Sequence, residues 1–119
     1  MAIEVGSKIP MTAKIGYPGG DHYEVNGESF QQYEVANAEA MFGGTRVVIF
    51  ALPGAFTPVC TTKQFPEFEA KYEELVAAGV DDVYCISVND PYVMGAWETF
   101  VEMADDITET KVKLLSDGN

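Results

Sequence analysis

At 119 residues, 47% of them apolar, the chain has the length of one domain, residues 1–119, able to bury a core of roughly 60% of its unfolded surface. Nineteen acidic against seven basic side chains leave a formal net charge of −12, which argues against nucleic acid and anionic membrane surfaces as partners and otherwise serves solubility. No window holds the roughly 18 unbroken apolar residues of a membrane span, and Met1-Ala2-Ile3-Glu4 lacks a basic stretch followed by an apolar one, so the expected location is cytoplasmic.

Ile3 to Lys14 reads as an extended lead-in punctuated by Gly6 and Pro10, and Gly16-Tyr17-Pro18-Gly19-Gly20 as a turn-rich loop whose flanks suggest a small hairpin. His22, the only histidine, has no second ligand type nearby and is assigned to the surface. Tyr33 to Val35 forms a short strand, after which Asn37 caps a short helix through Phe42 that Gly43-Gly44 ends. Arg46 to Leu52, apolar after its first residue, predicts a central strand covered on both faces. Pro53 to Cys60 then leads into a helix running to Gln64, where Pro66 forces a kink or restart. Phe65, Phe68, Tyr72, Leu75 and Val76 recur at helical spacing with glutamates between them, and Gly79 ends the element.

Val83 to Val88 predicts a second buried strand, paired parallel to the first across the intervening helix. Asp90 caps the following helix with Pro91 in its first turn, and Val93, Trp97, Phe100, Val101 and Ala104 form its inner stripe. Val112 to Leu115 gives a third strand, and Asp117-Gly118-Asn119 a turn. The whole is an α/β pattern, a central sheet with flanking helices.

The chemistry concentrates at Cys60. Thr57 as N-cap and Pro58 at the first helical position put this cysteine in the first turn of a helix, at the carboxyl end of a strand, where unpaired amides and the helix dipole favour a thiolate. A free thiol near pKa ~8.5 is only slightly ionised at neutral pH, whereas cysteines at helix starts fall to roughly 3.5–7.5. The Thr57 hydroxyl lies one turn away, able to donate and accept; the Val59 and Cys60 amides are donors for an oxygen gaining charge; Pro53 removes a backbone donor and can screen the pocket from water. Cys85, mid-strand among apolar neighbours, is expected in the core. Two cysteines make neither a disulfide scaffold nor a four-ligand metal site, no phosphate-binding glycine loop is present, and no cofactor or metal is expected.

Pro53, Thr57 and Cys60 match, position by position, the signature of a peroxiredoxin, and Val47-Val48-Ile49-Phe50-Ala51-Leu52 before it, with Ser87-Val88-Asn89-Asp90-Pro91-Tyr92-Val93-Met94 and Trp97 after it, resembles the Prx5 branch, including its bacterial glutaredoxin-fused relatives. The resemblance runs from about Gly6 to the last residue. It implies a thioredoxin-like fold and a thiol peroxidase, in which the Cys60 thiolate reduces hydrogen peroxide or an alkyl hydroperoxide and becomes a sulfenic acid. With Cys85 assigned to the core, turnover would rely on an external thiol: glutathione with glutaredoxin, or thioredoxin.

The family pattern continues after the final turn with a further segment, two strands and a closing helix, and draws an active-site arginine from that region. The sole arginine here, Arg46, opens a strand whose other end lies roughly 20 Å away. Lys63, three residues after Cys60, could lend positive charge but lacks the planar fork of a guanidinium. The sequence therefore reads as a partial copy of a longer protein, with an exposed sheet edge that favours a homodimer or aggregation. Two other functions compete: a catalytically weak thioredoxin-like interaction module, and a thiol-disulfide oxidoreductase, which is disfavoured because Thr57 stands where Cys-x-x-Cys has its first cysteine.

Overall fold

A computed structural model describes residues 4–118. Its elements are β1 (Lys14–Val25), β2 (Glu28–Asn37), α1 (Ala38–Phe42), β3 (Val47–Ala51), α2 (Phe65–Ala77), β4 (Asp82–Ser87), α3 (Pro91–Ala104) and β5 (Lys113–Ser116), with a π-helical turn at Cys60–Gln64. The five strands form one sheet in the order β2-β1-β5-β4-β3. The pairs β3 with β4 and β4 with β5 are parallel, as the strand-helix-strand pattern predicts, while β1 runs antiparallel to β2 and to β5.

The segment read as a loop at Gly16–Gly20 is strand. The β1 and β2 strands pair from Lys14↔Asn37 to Val25↔Glu28, with a register shift between Pro18 and His22 that accommodates the glycine and proline residues as an irregularity rather than a break. Asn26 and Gly27, both at positive φ (51° and 82°), close the hairpin in the conformation that two-residue turns favour. Gly16 has a separate reason to be glycine: a Cβ there would lie 2.7 Å from Pro91 Cγ, so the first turn of α3 packs directly on β1. The short strand expected at Tyr33–Val35 is thus the middle of a ten-residue one.

The sheet separates two apolar layers. On one face Phe50, Leu52, Val83, Cys85 and Leu114 meet Phe65 from α2 and Met94, Trp97 and Val101 from α3. On the other, Ile15, Tyr84 and Leu115 meet Ala38 and Phe42 of α1. The strand β3 is covered on both faces, as its composition demands, but it is an outer strand among the described residues, not a central one. Its hydrophobicity reflects the Phe50 ring stacked 3.9 Å from Phe68 on one side and Val47 and Ile49 packed towards α1 on the other.

The helices start where their caps predict. The Asn37 side chain accepts from the Ala40 amide at 2.8 Å, and that of Asp90 from Val93 at 2.9 Å. Their inner stripes are narrower than the pattern implies. Val76 of α2 is exposed because that helix turns only Phe65 fully inward; Phe100 and Ala104 of α3 are exposed, and Met94 takes the buried position instead. Val88 falls beyond β4 and faces solvent. Ile3 and Asn119 lie outside the described residues.

Carboxylates from both helices hold the approach to β5. Glu69 accepts from the amides of Lys111 and Val112 at 2.9 Å each, Glu102 accepts from Thr110 at 2.9 Å, and Glu73 pairs with the Lys111 ammonium at 2.6 Å. The amide bonds matter more than the exposed ion pair, since they satisfy backbone donors that would otherwise be stranded beside the core. Glu98, close to this cluster, has its carboxyl pushed up to about 7 by burial first and then by repulsion from Glu102, Glu109 and Glu69. A carboxyl whose folded pKa is raised opposes folding fully at high pH, and the penalty shrinks as pH falls from the raised value towards the unfolded one. Glu98→Gln should therefore unfold at higher urea than the parent at pH 8, with the gap shrinking by on the order of 1 kcal/mol by pH 6 once solvent screening is allowed for.

Candidate active site around Cys60

The site is assembled where two parallel strands end. The β3 strand leads through Leu52, whose amide still donates to Ile86 of β4 at 3.1 Å, into the loop Pro53–Thr57. The neighbouring strand β4 leads into Ser87-Val88-Asn89. The Asn89 side-chain oxygen accepts from the Ala55 amide at 2.8 Å and from the Ser87 hydroxyl at 2.7 Å, so one carboxamide ties the two strand ends together. Phe56 is held at φ +65°, a left-handed conformation that costs a non-glycine residue about 1–2 kcal/mol and that the flanking hydrogen bonds must sustain.

Thr57 occupies the cap position, but its hydroxyl donates to the Gly54 carbonyl at 2.7 Å rather than receiving a helix amide. This bond closes the loop and leaves the oxygen lone pairs of Thr57 available as acceptors. The first helical bond runs from the Thr61 amide to the Thr57 carbonyl at 3.0 Å, so the amides of Val59 and Cys60 precede the bonded ladder. The helix then widens: the Phe65 amide bonds the Cys60 carbonyl, five residues back, before α2 begins with Pro66 near its start. The restart anticipated at Pro66 takes this form because proline lacks the donor that a continuous α-helical ladder needs and its ring crowds the carbonyl four residues earlier.

The Cys60 side chain is 5% exposed and belongs to the core layer containing Phe65, Trp97 and Cys85. Trp97 is fully buried and donates its Nε1–H to the Thr61 hydroxyl at 3.1 Å, anchoring the turn that carries Cys60 to α3. Gln64 donates to the Ala51 carbonyl at 3.1 Å and anchors the far end of that turn to β3. Pro53 is exposed at the loop's outer edge, Thr57 is half-buried and Cys60 buried, so the three residues of the motif step inward along one loop.

Cys85 lies fully buried in mid-β4, and burial, with a lesser contribution from Cys60, pushes its thiol up to about 12. It stays protonated at any physiological pH and packs as a small apolar side chain. Lys63 is exposed. Arg46 sits at the opposite end of β3, its amide donating to Asp81 at 2.8 Å and its guanidinium close to Gly79. Among the described residues no cluster of histidine, cysteine, aspartate and glutamate is placed to hold a metal ion, and no helix is long and apolar enough to cross a membrane.

In the sequence Asn89 was visible only as a member of a motif, and Trp97 as that and as part of the helix's inner stripe, without the hydrogen bonds they make here. The signal that could have found Asn89 is positional. Its turn follows β4 as Pro53–Thr57 follows β3, and loops at the carboxyl ends of adjacent parallel strands face one another.

A five-stranded mixed sheet with helices on both faces and a cysteine opening the helix after a parallel strand defines a thioredoxin-like protein. The profile of the family described as Redoxin matches residues 4–119, and the chain belongs to that family. Its relatives are peroxiredoxins: it is 44% identical over 95 residues to peroxiredoxin y4vD of Sinorhizobium fredii, covering 80% of this chain and 47% of that one. It is 41% identical over 117 residues to the chloroplastic peroxiredoxin-2E-2 of rice, covering 98% of this chain and 46% of the relative. Among solved structures, reduced Prx3 of Vibrio vulnificus in complex with hydrogen peroxide superposes with a TM-score of 0.74 at 30% identity, over 98% of this chain and 61% of that one. Peroxiredoxin 5 of Alvinella pompejana superposes with a TM-score of 0.66 at 29% identity, over 98% of this chain and 63% of that one. The chain thus spans about half the length of the curated relatives it matches.

Replacing Asn89 by alanine strands the Ala55 amide and the Ser87 hydroxyl together. The variant should lose about 1–3 kcal/mol of stability in urea unfolding, and its Cys60 should be alkylated by iodoacetamide at a rate clearly different from the parent's, whereas unchanged stability and labelling would show that the tie does not set the loop.

Proposed function

We propose that the chain is a thiol peroxidase acting on hydrogen peroxide and alkyl hydroperoxides through Cys60, with Thr57 and Pro53 completing the reacting loop. The observation that carries this reading is the position of Cys60 in the unbonded first turn of the helix, behind a threonine whose proton is already committed to Gly54. The Cys60 thiolate attacks the terminal oxygen of the peroxide; an S–O bond forms, the O–O bond breaks, and the leaving oxygen takes a proton to depart as water or alcohol. The sulfur is left as a sulfenic acid. Thr57 orients the substrate by accepting its remaining O–H proton, and the amides of Val59 and Cys60 face the oxygen that gains charge. Pro53, at the exposed rim, limits the approach of water.

Recycling uses an external thiol, from glutathione with glutaredoxin or from thioredoxin. One thiol condenses with the sulfenic acid to a mixed disulfide, releasing water, and a second displaces Cys60. Burial of Cys85 and its suppressed ionisation support assigning it no part in this exchange. A cytoplasmic setting, which keeps such thiols reduced, suits the cycle.

Self-association into a dimer also suits the surface. Phe56 packs on Phe100, ring centroids 5.5 Å apart, and both are half exposed; Val59 and Met103, three residues after each in the chain, are 64% and 78% exposed. Apolar side chains in solvent beside the reacting loop favour a covering partner. If peroxide reactivity proves absent, the same surface supports the competing reading of an interaction module.

Coupled turnover with either reductant gives the test. Cys60→Ser should abolish peroxide consumption, and Cys85→Ser should retain most of it. Equal activity in Cys60→Ser, or an essential Cys85, would overturn the assignment.

A further inference from the structure

We propose that Thr61 is a positioning residue for the chemistry of Cys60: its hydroxyl, held by the buried Trp97 indole, fixes the direction in which the Cys60 side chain leaves the helix start. The inference rests on the peroxidase reading and names the contact that aims its nucleophile. Trp97 has one donor, its Nε1–H, and the Thr61 hydroxyl accepts it at 3.1 Å. The indole is fully buried, so no water replaces that acceptor if it is lost.

This bond differs in kind from those around it. The Thr61 amide donates to the Thr57 carbonyl at 3.0 Å and the Thr62 hydroxyl to the Pro58 carbonyl at 2.7 Å, but each joins residues of one turn and moves with it. Gln64 reaches the Ala51 carbonyl from the other end. Among the hydrogen bonds of the described residues, that of Trp97 to Thr61 is the one that ties residues 58–62 to another element, α3.

The indole also meets the far side of the wide turn. Its ring packs against that of Phe65 with centroids 5.2 Å apart at 64°, and the Phe65 amide closes the turn on the Cys60 carbonyl. One buried ring therefore brackets Cys60 between its contacts with Thr61 and Phe65. Neighbouring side chains on a hydrogen-bonded turn keep a fixed angle to one another, so a Thr61 that cannot swing leaves Cys60 one direction, into the core layer. Attack on a peroxide needs the sulfur in line with the O–O bond and the Val59 and Cys60 amides beside the oxygen that gains charge. A misplacement of about 1 Å costs on the order of a hundredfold in rate.

Thr61→Val keeps the branched shape and removes the acceptor, whereas Thr61→Ser keeps the hydroxyl. In the full chain, with folding checked by circular dichroism, each variant is compared with the parent for the single-turnover rate of Cys60 with hydrogen peroxide and for its alkylation by iodoacetamide. Thr61→Val should lose about tenfold or more in the peroxide rate while alkylation rises several-fold, because the sulfur is released from the core and no longer aimed. Thr61→Ser should restore both rates. Should Thr61→Val fail to fold, Trp97→Phe, which keeps a ring against Phe65 without a donor, should show the same split. Unchanged rates in Thr61→Val, both rates falling together, or a Thr61→Ser protein as impaired as Thr61→Val would each overturn the proposal. Slow peroxide reaction in the parent itself would instead overturn the peroxidase reading, and the alkylation comparison would still decide whether Thr61 directs Cys60.

Discussion

The side-chain oxygen of Asn89 is the constraint on which the loop Pro53–Thr57 depends. Two strands that pair parallel through Ala51↔Ile86 end side by side, and nothing in the ladder fixes what the chain does next. By accepting from Ala55 and Ser87 together, Asn89 makes the turn after β3 a property of the turn after β4. The left-handed Phe56, the Thr57–Gly54 bond and the first helical turn follow within five residues of that contact. The Asn89 carbonyl also accepts from the Ser116 hydroxyl of β5, so all three parallel strands are joined at the same end.

A second set of contacts fixes the helix that carries Cys60. The turn at Cys60–Gln64 is wider than an α-helix, and its two ends are pinned from different directions, Thr61 by the Trp97 indole and Gln64 by the Ala51 carbonyl. The wide turn places the Cys60 sulfur in the core layer while Val59, one residue earlier, points to solvent. Beyond the turn, α2 packs Phe65 and Phe68 against Phe50.

Much of this was legible in the sequence because the signals are local. Asn37 and Asp90 announce their helices, the run Arg46 to Leu52 its strand, and Thr57-Pro58 the helix start that positions Cys60; each depends on neighbours within a few residues. Cys85 was placed correctly in the core for the same reason. What escaped is non-local or ambiguous. Gly16 to Gly20 read as a loop because glycine and proline mark turns, yet here they sit at a strand irregularity and under Pro91, while the hairpin signal was Asn26-Gly27 a few residues on. The apolar β3 could not reveal its place in the strand order, since coverage by helices on two faces gives the same composition at an outer or a central position. The exposed Phe100 shows the limit of periodicity: it obeys the spacing of a core residue but packs on Phe56 at the surface.

The most direct test of this account is the rate at which the reduced full chain reacts with hydrogen peroxide under single-turnover conditions, followed by the fluorescence of its one tryptophan, Trp97, with mass spectrometry to locate the added oxygen. The account predicts rapid oxidation confined to Cys60, orders of magnitude beyond a free thiol, with Cys85 untouched. Oxidation of Cys60 at the pace of an ordinary exposed cysteine, or oxygen found on Cys85 first, would contradict it.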